Sequence, residues 1–384
     1  MLRVVKVRLY PNNEQKQKIS QHFGSCRYVY NMLLDAKIKA YECGDNLSAY
    51  DLKKRLVPMK KAEGGAFLKE VDSTALQNSV LKIDVAYKNF FRRVKQDGAI
   101  GFPRFKSKHN PHQSYQSSTA NIQGKKIYLP KIGLVKAKFH RGKIIGKVKT
   151  VTVSCEANQY FTSINYENGL EQSCGTNNGK SIGIDVGVKV FAYTSENEII
   201  NPSKEHQLDK DIAKMIKAQK SLSRKKKGSA NRAKAKAKLT KKHLRIKNKR
   251  NDFLHKISYK LSENQTIKVE DLKIKNMSKQ AKGSVENPNM RASAKSGLNR
   301  SILQQSWGKF FEMLEYKLER NGGELIRVYP KHTSQKCSSC GHISKENRLK
   351  QAQFICTSCN FTANADYNAS INILNTVGTT AKAS

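Results

Sequence analysis

The N-terminal residues change from a strand pattern to a helix pattern. Residues 2–10 predict a strand that ends at Pro11. Apolar residues then recur at the spacing of one buried helix face over residues 13–41, which predicts a long amphipathic helix. A second such helix is predicted to begin at the capping pair Asp72-Ser73 and to be ended by Gly98 and Gly101.

Residues 121–168 consist of short β-rich runs separated by glycine and asparagine turns. The runs are residues 126–129, 133–139, 147–154 and 160–166. They predict a small antiparallel barrel or sheet. Strand 2–10 can pair into this sheet, with the two helices as an insertion. Residues 169–179, rich in Gly, Asn and Ser, predict a linker.

Beyond residue 180, strand and helix patterns alternate, which is typical of an α/β domain. Strands are predicted at residues 181–184, 190–194, 266–270 and 324–329, and helices at 302–320 and, as a pair, within 204–261. Residues 276–300, rich in Asn, Ser, Gly and Lys, predict a mobile loop.

The net charge of the chain indicates what kind of molecule it binds. The 384 residues include 72 Lys plus Arg against 30 Asp plus Glu, a formal net charge of +42. So many like charges repel one another unless a polyanion offsets them, and cationic side chains release counterions from nucleic-acid phosphates. An acidic membrane is the alternative, but the basic segments lack the bulky apolar face of membrane-surface helices. We therefore expect a nucleic-acid partner, either RNA or DNA.

Two segments concentrate the positive charge. Residues 204–250 hold 19 Lys or Arg and three acids, which predicts a helical pair with broad cationic faces, or else a solvated hairpin without a ligand. Residues 101–108, GFPRFKSK, mix aromatic and cationic side chains. They predict either contacts to phosphates and bases or a loop that its two Phe rings anchor to the core.

Nothing in the sequence indicates export or a membrane span. The first residues, MLRVVKVR, have charges between the apolar residues, unlike a secretory segment. No apolar run approaches the ~18 residues that a spanning helix needs. We therefore expect a cytoplasmic protein, associated with the nucleoid when it acts, and no membrane partner.

Four cysteines near the C-terminus have the spacing of a metal site. Cys337 and Cys340 form one C-x-x-C pair, Cys356 and Cys359 form another, and 15 residues separate the pairs. This spacing predicts a four-thiolate zinc ribbon. The alternatives are two disulfides, which are rare without export, or four buried thiols. Four protein ligands leave zinc no open position, so its role would be structural.

Three acids stand at the ends of predicted elements. Asp185 and Glu270 each end an apolar strand, and Asp366 opens a helix with six residues between it and Cys359. Such positions project side chains into a shared cleft at the edge of an α/β sheet. Three neighbouring carboxylates would take up protons unless cations keep them ionised. Two Mg²⁺ ions would do so and would support phosphodiester hydrolysis, which predicts a metal-dependent nuclease.

Together these motifs resemble the TnpB (OrfB) family, which insertion sequences encode. The resemblance covers almost the whole chain, and the cysteine pairs and the last acidic motif are its most specific parts. The motifs are Asp185-Val-Gly187, Val269 to Leu272, Gln304 to Trp307, the two cysteine pairs, and Ala365 to Leu374.

The resemblance implies a mixed fold with α/β, all-β and helical parts. It implies a RuvC-like nuclease domain of the RNase H fold at residues 180–331 and 363–384, with the zinc ribbon at 332–362 inserted. It also implies a wedge-like β-barrel at 1–10 and 115–170, with a helical recognition lobe at 11–114 inserted. Because these positions match the family's motifs, the resemblance also implies that the three acids are catalytic magnesium ligands and the four cysteines are zinc ligands.

The same resemblance implies an RNA-guided activity, related to that of the miniature type V CRISPR effectors. A guide derived from the transposon end, an omega RNA, would direct cleavage of double-stranded DNA beside a short flanking motif. The protein would act as a monomer, or as a dimer on the RNA. The alternatives are a catalytically silent RNA-guided repressor, a transposase or transposition accessory protein, and a plain basic zinc-ribbon DNA-binding protein.

Overall fold

The computed structural model describes residues 2–95, 101–140, 142, 144–169, 178–202, 208–279 and 292–377. The chain divides into two compact units, Met1–Glu171 (unit 1) and Gln172–Ser384 (unit 2). Residues 170–177 of the predicted linker and residues 280–291 of the predicted loop lie outside the described residues, as does Gly98.

Unit 1 contains a seven-stranded antiparallel sheet in the order β2-β6-β7-β1-β5-β4-β3. Its strands are β1 (Leu2–Tyr10), β2 (His112–Ser117), β3 (Asn121–Gln123), β4 (Lys126–Leu129), β5 (Gly133–Lys138), β6 (Lys147–Glu156) and β7 (Gln159–Glu167). The N-terminal strand lies between β7 and β5, pairing Val5 with Ile164 and Leu9 with Ala137. This confirms that strand 2–10 joins the later strands, with the helices as an insertion.

Between β1 and β2, the described residues of unit 1 form a short 3-10 helix at Ala66–Lys69 and four α-helices: α1 (Asn13–Glu42), α2 (Ala49–Lys54), α3 (Leu56–Lys61) and α4 (Ser73–Lys95). The start of α1 is fixed by a capping box, in which the side chains of Asn12 and Gln15 each accept the other's backbone N–H. Before α4, Asp72 accepts hydrogen bonds from the Ser117 hydroxyl and the Thr74 N–H. The Asp72 N–H in turn donates to the buried ring of His22, so α1, α4 and the end of β2 share one polar junction.

Unit 2 contains a five-stranded mixed sheet in the order β10-β9-β8-β11-β12. Its strands are β8 (Ser181–Val186), β9 (Ala192–Thr194), β10 (Ile199–Ile200), β11 (Thr266–Glu270) and β12 (Glu324–Val328). Strands β8, β11 and β12 are parallel, whereas β9 pairs antiparallel with β8 and β10 pairs antiparallel with β9. Parallel strands end at one edge, so the last residues of β8 and β11 lie beside each other.

The helices of unit 2 are α5 (Leu208–Ser223), α6 (Ala230–Leu261), α7 (Ile274–Met277), α8 (Ala292–Gln305), α9 (Trp307–Arg320) and α10 (Ala365–Asn375). A short hairpin of β13 (Gln353–Ile355) and β14 (Thr362–Asn364) precedes α10. Phe191 packs edge-on against Phe253 and Phe310, with ring centroids 5.1 Å apart in both pairs. These rings join the cationic helix α6 to the core. No helix in the described ranges is long and apolar enough to cross a membrane.

Two predictions for this part of the chain are wrong in detail. The helix predicted at residues 302–320 is two helices, because Ser306 takes a left-handed conformation with φ of 60°. The loop predicted at 276–300 is helical from Ala292 onward. Residue 306 is neither glycine nor proline, so the sequence does not mark the break between the two helices. The polar composition of residues 292–300 favours a loop, so the sequence does not mark the helix there either.

Candidate metal and carboxylate site

The four cysteines of the two pairs come together in unit 2. The sulfur of Cys337 lies 3.7 Å from that of Cys359, and the sulfur of Cys340 lies 3.5 Å from that of Cys356. All four sulfurs lie within 4.8 Å of one another. Zn–S bonds of about 2.3 Å in a tetrahedron place the sulfurs about 3.8 Å apart. The sulfur spacing therefore fits a zinc ion.

Hydrogen bonds also tie the two cysteine turns to each other. The buried amide of Asn347 donates to the carbonyl of His342, beside the first pair, and accepts the N–H of Thr357, inside the second. Burial raises the pKa of the Cys356 thiol, but hydrogen bonds from the backbone of Cys359 and Ser358 and from the thiols of Cys340 and Cys359 lower it to about 6. A backbone hydrogen bond from Phe361 lowers the pKa of Cys359, but its contacts with the other sulfurs raise it to about 12, so these thiols do not ionise independently.

Helix α10 lies directly against strand β8 because Gly183 has no side chain. A Cβ atom at Gly183 would lie 2.1 Å from the Ser370 carbonyl oxygen and 2.6 Å from the Leu374 nitrogen. Asn364 caps the helix by accepting the N–H of Asp366. The close contact places the first turn of α10, with Asp366, beside the carboxyl end of β8.

In the structure, the three predicted acids lie near enough to one another for the charges of Glu270 and Asp366 to act on Asp185. Burial raises the pKa of Asp185 well above its usual range, the charges of Glu270 and Asp366 raise it further, and the Arg348 guanidinium opposes them. Burial also raises the pKa of Glu270. These shifts are the ones expected of carboxylates gathered without cations.

The three carboxylates are more widely spaced than the cysteine sulfurs. Across the described residues, only the four cysteines form a His, Cys, Asp or Glu set whose ligand atoms all lie within 4.8 Å of one another.

Sequence reasoning missed two residues that contact these acids. Arg348 places Nη2 2.8 Å from Asp366 Oδ1, and the Thr333 hydroxyl donates to Glu270 Oε1 at 2.5 Å. Both residues lie in the segment that carries the cysteine pairs. Arginine and threonine are too common in this chain for their positions to stand out, so the only usable signal was the short distance in sequence between Cys359 and Asp366.

Two asparagines fix the cysteine segment to the acidic helix. Asn368 and Asn372 lie one turn apart on α10, and both donate to the carbonyl of Lys336, at 2.8 and 2.7 Å. Asn372 also donates to the Thr333 carbonyl, and Asn368 accepts the Ser338 N–H. The first cysteine turn and the acidic helix thus form one hydrogen-bonded assembly.

Three family models match the chain. A model described as "Probable transposase" matches residues 163–281, one described as "Cas12f1-like, TNB domain" matches residues 307–373, and one described as "Helix-turn-helix domain" matches residues 1–46. The second match spans both cysteine pairs and Asp366.

The chain is also similar to named proteins over nearly its whole length. It is 38% identical to the "Putative RNA-guided DNA endonuclease InsQ" of Escherichia coli K12, over 97% of this chain and 92% of that protein. It is 34% identical to a "Putative RNA-guided DNA endonuclease" of Streptomyces pristinaespiralis, over 97% and 88%. A match of 43% identity to Cas12f1 of Sulfoacidibacillus thermotolerans covers 19% of this chain and 18% of that protein.

Among solved structures, the fold resembles that of a Cas12f1–sgRNA–target DNA complex determined by cryo-EM. The TM-score is 0.57 at 14% sequence identity, with coverage of 98% of this chain and 99% of that one. At this identity the likeness concerns the fold alone. The fold is therefore mixed α/β and Cas12f-like, and the chain belongs to the TnpB (OrfB) family, related to the miniature type V CRISPR effectors.

Proposed function

We propose that the protein is an RNA-guided DNA endonuclease. The observation that supports this most is the electrostatic group of Asp185, Glu270 and Asp366 at one sheet edge, next to the cysteine segment. The partners would be a guide RNA derived from the transposon end and a double-stranded DNA with a short flanking motif. The relatives from Escherichia coli K12 and Streptomyces pristinaespiralis, which match over nearly the whole chain, carry the name "Putative RNA-guided DNA endonuclease".

In this proposal, residues 180–331 and 363–384 form a RuvC-like nuclease domain of the RNase H fold, with a zinc ribbon at 332–362. Residues 1–10 and 115–170 form a wedge-like barrel, and residues 11–114 a helical recognition lobe. The parallel strands β8, β11 and β12, with α10 against Gly183, support the first assignment. The antiparallel sheet of unit 1 supports the second.

The carboxylates would hold two Mg²⁺ ions, and the four cysteine thiolates one structural Zn²⁺. When bound, magnesium supplies an activated water and stabilises the leaving 3′ oxygen in phosphodiester hydrolysis. The residues of the chain orient the carboxylates: Thr333 holds Glu270 and Arg348 holds Asp366. The exposed lysines of α6, such as Lys234 and Lys238, would line the path of the nucleic acid.

The substitution Asp185→Asn tests the metal site. It removes one charge from a buried, repelling group while keeping the side chain's shape, so the melting temperature should stay the same or rise. Cleavage of a plasmid in Mg²⁺, directed by RNA that co-purifies with the protein, should be lost while RNA and DNA binding persist. Full cleavage by this variant would exclude Asp185 as a ligand. A wild-type protein that binds RNA and target DNA but never cleaves would be a repressor instead.

A further inference from the structure

A tyrosine continues the row of acids across the sheet of unit 2. The strand register pairs Ile184 with Val269, so the next residues, Asp185 and Glu270, lie beside each other. Asp185 is in turn directly opposite Tyr193 of β9. Directly opposite residues of an antiparallel pair have their side chains on the same face of the sheet. Tyr193 therefore flanks Asp185 on the side away from Glu270.

A second tyrosine comes from the first turn of helix α10. Tyr367 follows Asp366, and the Asn364 side chain accepts the N–H of both residues, at 3.3 and 2.9 Å respectively. The Tyr367 ring packs on the Tyr193 ring at a tilt of 49°, with centroids 6.3 Å apart. Two of the three acids thus have an aromatic neighbour, one across the strand pair and one along the helix.

The hydroxyl of Tyr193 has no partner within the described part of the chain. The residue is only 7% exposed, and its hydroxyl forms no hydrogen bond with any described residue. Buried tyrosine hydroxyls usually find a partner. The oxygen itself is not fully buried, so it can meet a ligand at this edge of the sheet. Tyr193 therefore offers an unused hydrogen-bond donor next to Asp185.

The row ends in exposed apolar surface. Ile199 of β10 pairs directly with Tyr193, and 56% of its surface is exposed. Tyr367 is partly exposed as well. One half of the row is thus acidic, whereas the other half is aromatic and aliphatic. A metal-bound phosphate suits the acidic half, and a nucleobase suits the apolar half, because bases stack on aromatic side chains.

Only an unpaired base can use this surface. A base within a duplex is already stacked between its neighbours, whereas a base of a single strand can be splayed out onto an aromatic ring. In the proposed function, pairing of the guide with one DNA strand displaces the other. A single DNA strand is therefore available to the carboxylates.

We infer that Tyr193, Tyr367 and Ile199 bind an unpaired deoxynucleotide next to the bond that is cut. Its base packs on Tyr367 and Ile199, and the Tyr193 hydroxyl donates to an oxygen of its phosphate. This inference rests on the proposed function and deepens it, since it assigns the selectivity for single-stranded DNA to residues of the same site.

Cleavage by the RNA-bound protein tests these contacts, with a fluorescein-labelled target whose cut position has been mapped with the wild type. Tyr367→Leu should cleave roughly tenfold more slowly, the loss expected for one stacked base. Tyr367→Phe keeps the ring and should recover most of this loss. Tyr193→Phe should also lose about tenfold, because it removes a hydrogen bond to a charged phosphate. Tyr316→Leu, at an exposed tyrosine of α9, is the matched control and should cleave as the wild type does.

Abasic substrates identify the stacked base. Two further targets carry one abasic nucleotide, either 5′ or 3′ of the mapped cut. With one of these targets the wild type should cleave roughly tenfold more slowly, and Tyr367→Leu should lose no further rate, because the ring and the base act as one pair. Losses that multiply with both targets would mean that the ring contacts neither base, which would overturn the inference.

Melting temperatures separate binding of the nucleotide from a packing role of the rings. Tyr193→Phe removes only an unpartnered hydroxyl, so its melting temperature should equal that of the wild type while its cleavage falls. If the rings served only to pack α10 on β9, Tyr367→Leu would melt at a lower temperature and Tyr193→Phe would cleave at the full rate. That result would overturn the inference.

Cleavage by the wild type distinguishes the failure of this inference from the failure of the proposed function. A wild type that cuts, with full rates in Tyr193→Phe and Tyr367→Leu, would overturn the inference alone. Loss of co-purifying RNA from Tyr367→Leu, at an unchanged melting temperature, would place RNA and not DNA on these residues, which overturns it as well. A wild-type RNA complex that never cuts would overturn the proposed function and the inference with it.

Discussion

The contact between Gly183 and α10 is the structural feature whose perturbation has the clearest expected effect. In Gly183→Ala, the new methyl carbon would start 2.1 Å from the Ser370 carbonyl oxygen and 2.6 Å from the Leu374 nitrogen. Both atoms belong to the helix backbone, so rotation of a side chain cannot relieve the overlap. The helix or the strand has to move.

The size of this movement follows from the contact distance. Ordinary van der Waals contact begins near 3.4 Å, so the two backbones have to separate by about 1.3 Å. Overpacking of this kind costs about 1–3 kcal/mol of unfolding free energy, which lowers the melting temperature by several degrees in a domain of this size. Asp366 moves with the helix, and a 1 Å misplacement at a reacting centre can cost about a hundredfold in rate.

The measurements are thermal unfolding and RNA-directed plasmid cleavage in Mg²⁺, with RNA binding expected to stay at the wild-type level. Gly297→Ala is the matched control in the same unit, because a Cβ there meets no atom within 4 Å and alanine favours its helix by about 1 kcal/mol. A Gly183→Ala protein as stable and as active as the control would refute the close packing of α10 on β8.

Three other perturbations have defined outcomes. Cys340→Ser should lower the melting temperature and reduce bound zinc from one ion per chain to none, as measured by elemental analysis. An unchanged zinc content would exclude the zinc ribbon. Arg348→Ala removes the cation beside three carboxylates, so Mg²⁺ should raise the melting temperature more in the variant than in the wild type; an equal rise would mean that Arg348 does not offset their charge. Burial lowers the pKa of His22, so the folded state resists its protonation, and urea-unfolding free energy should fall as pH drops below about 6.5. His22→Gln should flatten that pH profile.

Local patterns predicted the elements of this fold better than their arrangement. Strand β1 and helix α1 were predicted to within one residue, since the apolar periodicity that defines them and the boundary at Pro11 act over a few residues. The position of β1 between β7 and β5 depends on partners more than 100 residues away. The break at Ser306 comes from a left-handed backbone conformation at a residue that is neither glycine nor proline, so no local pattern marks it.

The candidate site shows the same division. Cysteine spacing predicted the four sulfurs that meet, because the turn within each pair is local. The order strand, strand, helix predicted that the three acids share an edge, and their role in catalysis stays a prediction. The contacts of Arg348 and Thr333 could not be predicted, since they arise only when the cysteine segment packs on α10.

This packing gives the cysteine segment a role beyond a self-contained finger. Thr333 and Arg348 each contact one of the acids, and Asn347, next to Arg348 in the chain, bonds to both cysteine turns. Loss of zinc would loosen those turns and thereby release Arg348 from its position at Asp366. A zinc ion without an open coordination position takes no direct part in hydrolysis. Its loss should nevertheless lower cleavage, because Glu270 and Asp366 would lose contacts that fix their positions, and a misplacement of about 1 Å at a reacting centre can cost about a hundredfold in rate.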